Sequence, residues 1–230
     1  MAVYVELLAS TPNAAKVVAS AAKLCYSPSG AADILNGLDA EKVSSFLGML
    51  RESGHLSVFE HVSFTFAIEG ISRVTTHQLV RHRVASYSQQ SQRYVGMNKQ
   101  DCIIPPSVSN NPDALALFSK QNADAMSCYE KLVEMGVPKE DARFILPHGM
   151  ETRIVVTMNA RELHHFFALR LCKRAQWEIR ELARKMYVLA RKTSPELFSI
   201  GGPSCVTNGV CSEARSCGDP YPDMETMLAE

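Results

Sequence analysis

Apolar and polar positions along the chain follow two periods, and the shorter one is clearest in "VSFTFAIE" at residues 62–69. There Val62, Phe64, Phe66 and Ile68 alternate with Ser63, Thr65 and Glu69, Ala67 being the small exception. Strand side chains point alternately to opposite faces, so this segment predicts a half-buried antiparallel strand. "AVYVELL" at 2–8 and the β-branched "TRIVVTM" at 152–158 read as further strands. The longer period marks helices. Thr11 is placed to cap one with Pro12 at its first position, running to the turn at Ser27 and Pro28. Asp39 is a candidate N-cap for "AEKVSSFLGMLRES", and Gly54 supplies the left-handed residue that ends it, which makes the following "HLSVFEH" a connection. Ser72 starts "RVTTHQLVRH", "GMNKQDCIIPPSVSNNP" is a long polar connection, and residues 78–94 between them are expected on a helix end and loop.

Pro112 opens a long helix that Gly136 closes, and "KEDARFIL" is a shorter one stopped by Pro147. "NARE" has the capping-box pattern, Asn159 followed three residues later by Glu162. "RELHHFFALRL" and "AQWEIRELARKMYVLARKT" follow before Pro195; in the second, Trp177, Ile179, Leu182, Met186 and Leu189 recur at near-helical spacing and read as core. The pattern predicts an α+β fold, an antiparallel sheet flanked by helices, with one core domain over residues 1–200 and an irregular cysteine-containing tail over 201–230. No internal repeat or low-complexity tract interrupts it.

Composition narrows the class. With 230 residues and 46% hydrophobic content the chain can bury a full core. Its 24 basic and 24 acidic residues cancel, so no nucleic-acid or membrane partner is expected and any electrostatic recognition is local. The N-terminus lacks the basic region of an export signal, and no apolar run reaches the roughly 18 residues that span a bilayer, so a cytoplasmic protein is expected. Seven cysteines then read as reduced thiols or metal ligands before disulfides.

That local charge is concentrated in "QLVRHRVASYSQQSQRY" at residues 78–94, where Arg81, Arg83 and Arg93 occur with no carboxylate between Glu69 and Asp101. A guanidinium keeps its charge and offers a planar fork to phosphate or carboxylate oxygens. Cations without acids nearby in sequence suggest an anion from outside, or else partners that are distant along the chain. Ser86, Ser88, Gln89, Gln90 and Ser91 add neutral donors and acceptors suited to a base or ribose.

The segment "RHRVASYSQQS" fits the R-H-R-x7-S signature, and the chain resembles the flavin-dependent thymidylate synthases. "GHLSVFEH", Gln78, "DARFILP", "NAREL" and "LRLCKRAQWEIRELA" occur in that family's order over about residues 55–185. The resemblance implies a fold of that type and reductive methylation of dUMP to dTMP. Carbon would come from 5,10-methylenetetrahydrofolate and reducing equivalents from NADPH through FAD. It implies a homotetramer with active sites at subunit interfaces. By matching position, Arg81, His82 and Arg83 would touch FAD, together with Ser57, Glu60, Asn159, Arg161 and His165. Gln78, Arg81, Gln89, Ser91, Arg93, Arg143 and Arg170 would hold dUMP: Arg93 and Arg143 on the phosphate, Arg170 polarising the uracil and favouring its ionised form. His55 matches a position implicated in flavin geometry, and Ser91 is read as orienting and activating dUMP, since a plain serine without a neighbouring base is a weak nucleophile.

Three positions depart from the pattern. Gln89 stands where many relatives carry glutamate, so base catalysis there is not expected; His165 stands where some have asparagine, and Arg174 where some have histidine. Two other classes were weighed. An RNA- or nucleotide-binding protein without chemistry would show a basic stripe with exposed aromatics, against the neutral charge and 7% aromatic content. A zinc deaminase would need H-x-E and C-x-x-C, and neither occurs. No metal is expected in catalysis. Cys205, Cys211 and Cys217 recur at six-residue spacing, and with Cys172 they leave two readings: free thiols on a flexible tail, or a tetrahedral zinc site.

Overall fold

The structure is a computed structural model that describes residues 3–97 and 101–230. Ala2, in the first expected strand, and residues 98–100, in the polar connection, lie outside the described residues. In chain order the elements are β1 (Tyr4–Ser10), α1 (Ala14–Leu24), α2 (Ala31–Asn36), α3 (Ala40–Glu52), a 3-10 helix (Leu56–His61), β2 (Ser63–Ser72), α4 (Arg73–Leu79) and β3 (Ala85–Gln89). Then come α5 (Pro106–Ser109), α6 (Pro112–Glu134), α7 (Lys139–Ala142), a second 3-10 turn (Arg143–Ile145), β4 (Glu151–Asn159), α8 (Ala160–Arg170), α9 (Trp177–Thr193), α10 (Ser204–Thr207) and α11 (Met224–Ala229). The strands form one four-stranded antiparallel sheet in the order β1–β2–β4–β3. This is the mixed helix-and-antiparallel-sheet class that the periodicity predicts. No helix among the described residues is long and apolar enough to cross a membrane.

By Cα proximity the chain divides into two compact units. One is built chiefly from Ile68–Arg81 and Ser88–Ile154, the other from Val5–Ala67, His82–Tyr87 and Val155–Glu230. In the first, Met97, Tyr129, Ala142 and Met150 form a buried cluster that Met126, Leu132 and Val137 cover. The second holds the aromatic core: Phe64, Phe167 and Tyr187 each meet a ring neighbour edge-on, Phe198 beside Phe64 at 5.3 Å and Phe167 beside Tyr187 at 5.1 Å. Val62, Phe64, Phe66 and Ile68 are all buried, as their alternation requires, and each contributes on the order of 1.5–3 kcal/mol. In α9, Ile179, Leu182 and Met186 are buried, while Trp177 and Leu189 are partly so.

Several boundaries differ from the sequence expectation. The first helix starts at Ala14, because Thr11 is taken by the sheet edge: its N–H donates to the Ser63 carbonyl and its hydroxyl accepts from the Ser63 N–H. Asn13, in the left-handed region at φ 52°, makes the turn into the helix. α2 was not expected, and "HLSVFEH" is a 3-10 helix instead of an open connection. Most consequential is β3. Residues expected on a helix end and loop form a sheet-edge strand in which Ala85, Tyr87 and Gln89 are half-buried and Ser86 and Ser88 exposed. The tail is not wholly irregular either, since it carries α10 and α11.

Other local expectations match the structure. Ser72 Oγ accepts from the Thr75 N–H at the start of α4, Pro112 stands at the first position of α6, and Gly54 and Gly136 take positive φ. Asn159 Oδ1 accepts from the Glu162 N–H at the start of α8.

Candidate active site

α4 ends at Leu79, and the chain then turns through Val80 and Arg81 before β3 begins at Ala85. In this connection His82 is 3% exposed while Arg81 and Arg83 are exposed. His82 Nδ1 lies 2.9 Å from Glu162 Oε1 in the first turn of α8. Its Nε2 lies 3.1 Å from Arg170 Nε at the other end of that helix. A guanidinium N–H can only donate, so Nε2 carries the lone pair, Nδ1 carries the proton, and Nδ1–H donates to Glu162. The Tyr87 hydroxyl donates to the His82 carbonyl at 2.7 Å, and Phe166 meets the imidazole edge-on.

Burial pushes the His82 pKa down; the Glu162 hydrogen bond opposes this and the Arg170 charge adds to it. Burial and the nearby Glu162 charge raise Tyr87, and burial lowers Arg170. The result is a neutral imidazole locked between a carboxylate and a guanidinium. His82, Glu162 and His165 place three possible metal-ligand atoms within 4.8 Å of one another. Both His82 nitrogens are already engaged, so a cation there would have to replace the Nδ1 proton shared with Glu162 or displace Arg170.

Beside this relay lies a cavity of about 690 Å³ whose lining includes Glu60, Asn159, Arg161, His164 and His165, with Leu56 and Val84 as apolar walls. Arg161 pairs with Glu60, both about half exposed, so the pair opens at little cost. Asn159 spends its Oδ1 on the α8 cap. His165 is exposed, whereas His164 lies 3.0 Å from the Leu197 carbonyl through Nε2 and is pushed down to about 4, first by burial and then by the Arg51 charge. His55 and Ser57 are exposed at the start of the first 3-10 helix, where His55 makes no side-chain capping bond.

The remaining candidates gather in the other unit. Gln89 Nε2 donates to the hydroxyls of Thr76 and Thr152, each at 3.2 Å. Arg93 Nε donates to Glu140 Oε2 at 2.8 Å, and Arg143 Nε donates to the Glu140 carbonyl at 3.0 Å. Ser91 Oγ accepts from the Arg93 N–H, and among the described residues it has no imidazole or carboxylate partner that would activate it. Gln78 is half-buried in the last turn of α4.

Three side chains that the structure places at the candidate site carry no site role in the sequence expectation. Arg73 in α4 has a buried Nε without a hydrogen-bond partner, and its pKa is lowered by burial and by the like charge of Arg143. A cation in the first turn of a helix opposes the helix dipole, and that was the available signal. The capping-box pattern gives Glu162 a role at the helix start, but its carboxylate goes to His82. Tyr87 gave no sequence signal.

The arrangement offers guanidiniums to anions and a fixed guanidinium to a polar ring. A family model described as "Thymidylate synthase complementing protein" matches residues 6–196. A flavin-dependent thymidylate synthase of Clostridium tetani is 50% identical, the match covering 95% of this chain and 94% of that one. One from Geobacter sulfurreducens is 50% identical over 93% of each chain. One from Pyrococcus horikoshii is 44% identical over 92% of this chain and 90% of its own.

Proposed function

This chain belongs to the thymidylate synthase complementing protein family, and from that premise we propose that it methylates dUMP to dTMP as a flavin-dependent thymidylate synthase. In this reading FAD is the cofactor, and NADPH and 5,10-methylenetetrahydrofolate are co-substrates. The donor set suits a dinucleotide diphosphate: Arg81 and Arg83 are exposed and carry no ion pair among the described residues, and the cavity bearing Asn159, Arg161 and His165 has room for a ring system. Bound FAD supplies the redox step. Ser57, Glu60 and His55 would border it.

The observation that carries the proposal is the Glu162–His82–Arg170 relay. It holds Arg170 in one orientation, so that a single fixed cation can meet a uracil carbonyl and favour the ionised ring. His82 then acts by positioning Arg170, and Arg81 and Arg83 make the direct contacts. Arg93 and Arg143, with Arg73, would hold the dUMP phosphate, while Gln78, Gln89 and Ser91 orient the nucleoside.

The same reading takes the fold as the family's own and residues 1–200 as the catalytic domain, with 201–230 as an appended tail. It takes the enzyme as a cytoplasmic homotetramer, since the contributing segments are well separated along the chain. No nucleic-acid or membrane partner is included, in keeping with balanced charge. The test is dTMP formation from dUMP with each of FAD, NADPH and methylenetetrahydrofolate omitted in turn. Activity should vanish with every omission, and full activity in flavin-stripped protein would end the proposal.

A further inference from the structure

We propose that Cys172, Cys205, Cys211 and Cys217 form a structural zinc site that fastens the C-terminal tail to the end of α8. The four side chains line a single cavity of about 190 Å³, although Cys172 is 33 residues from the nearest of the others (205 − 172). Four thiols are the full ligand count of a closed tetrahedral zinc centre.

The register of the neighbouring ion pairs supports convergence on one point. Cys172 is followed at once by Lys173 and Arg174. Arg174 pairs with Glu213, two residues past Cys211, and Lys173 pairs with Asp219, two residues past Cys217. Each pair therefore brings one tail cysteine toward Cys172. Lys173 also sits over the Tyr221 ring at 4.6 Å, which fixes the far side of the loop.

The loop needs such a staple. Between Asn208 and Pro220 no residue is buried, and Cys211 alone is partly so. A segment without apolar burial cannot offset its ordering entropy by a core, and exposed ion pairs add little. No three of the four sulfurs lie within 4.8 Å of one another, whereas a tetrahedral set is tighter. One χ1 rotation moves a sulfur by roughly 3 Å, so rotamer changes suffice to close the set.

The experiment is elemental analysis of the full chain purified without chelator under reductant, with bound flavin and dTMP formation read separately. Zinc at about one equivalent per chain is expected. It should be lost in Cys172→Ser and in Cys211→Ser but kept in Cys25→Ser, a cysteine outside the cavity. Should the serine variants not fold, native thiol titration of the unaltered chain decides. Three of its seven cysteines should react (7 − 4), rising to seven once a chelator removes the metal. Cobalt substitution should show sulfur-to-cobalt charge-transfer bands. The proposal is overturned if zinc stays far below one equivalent after reconstitution, if it persists in the Cys172→Ser, Cys211→Ser double variant, or if native protein carries disulfides and no metal. Zinc far below one equivalent in reconstituted protein that still binds flavin and forms dTMP would overturn this proposal and leave the proposed function standing.

Discussion

Around His82 both ring nitrogens have protein partners and the imidazole is almost wholly buried, whereas around Arg143 the cations are left to crowd one another. The His82 relay is finished before any ligand arrives. Its hydrogen bonds lie in a low-dielectric setting, where a misaligned partner would be costly, so Arg170 is held by the fold itself. The arginine group is unfinished. Arg93 takes the Glu140 carboxylate while Arg143 reaches only the Glu140 main-chain carbonyl, and Arg73 has a buried nitrogen without a partner and feels the Arg143 charge. In the proposed reading an incoming phosphate would relieve that repulsion, and the contrast would separate a preorganised element facing the reacting ring from a region that the substrate itself completes.

The strongest test of that contrast is Arg170→Ala. Turnover should fall by about 10²- to 10³-fold, as for loss of one preorganised donor, while dUMP affinity changes much less. Steady-state kinetics beside equilibrium dUMP binding reads both, and an equal loss in the two would erase the distinction.

The buried histidines should also make their unit acid-sensitive. His164 has a folded pKa of about 4 against an ordinary 6.5, so between those values the unfolded chain binds more protons than the folded one. Stability should therefore fall as pH drops from about 6.5, with the loss complete near 4 and amounting to roughly 3 kcal/mol. His82, also lowered, acts in the same direction. Denaturant titrations across this range should show a shallower slope for His164→Gln. An unchanged slope would remove His164 as the source.

On the arginine side, Arg143→Ala should weaken dUMP binding by about 1.5–3 kcal/mol with turnover at saturation nearly kept. Arg93→Ala should cost less, because Arg93 must first leave Glu140. Isothermal titration with dUMP and with deoxyuridine separates the phosphate contribution; an identical loss for both ligands would place these arginines elsewhere. The smallest effect belongs to Glu140→Gln. Removing the carboxylate that competes for Arg93 should tighten dUMP by about 0.2–1 kcal/mol, as for an exposed ion pair. Weaker binding would show that Glu140 orients Arg93 for the phosphate.

Legibility followed the range of the interaction. β2 could be read from its alternation because one face is apolar, while β3 could not, since an edge strand of serines flanking alanine, tyrosine and glutamine carries no apolar period. The helix starts at Ser72 and Asn159 could be read because each capping bond closes within three residues. Thr11 and Glu162 were misassigned for the opposite reason: each fits a local motif, yet Ser63 and His82 claim their side chains across the fold.

The sequence alone therefore determined the family, the arginine set, the principal strand and most helix ends. All of these rest on residue identity and on periods or hydrogen bonds of a few residues. Only the tertiary structure decided that His82 lies inside while Arg81 and Arg83 stay out, that its partners are 80 and 88 residues away, and that four cysteines share one cavity. Burial creates those differences. A polar group removed from water must find a partner wherever the packed chain brings one, and that choice is made among residues that local sequence does not connect.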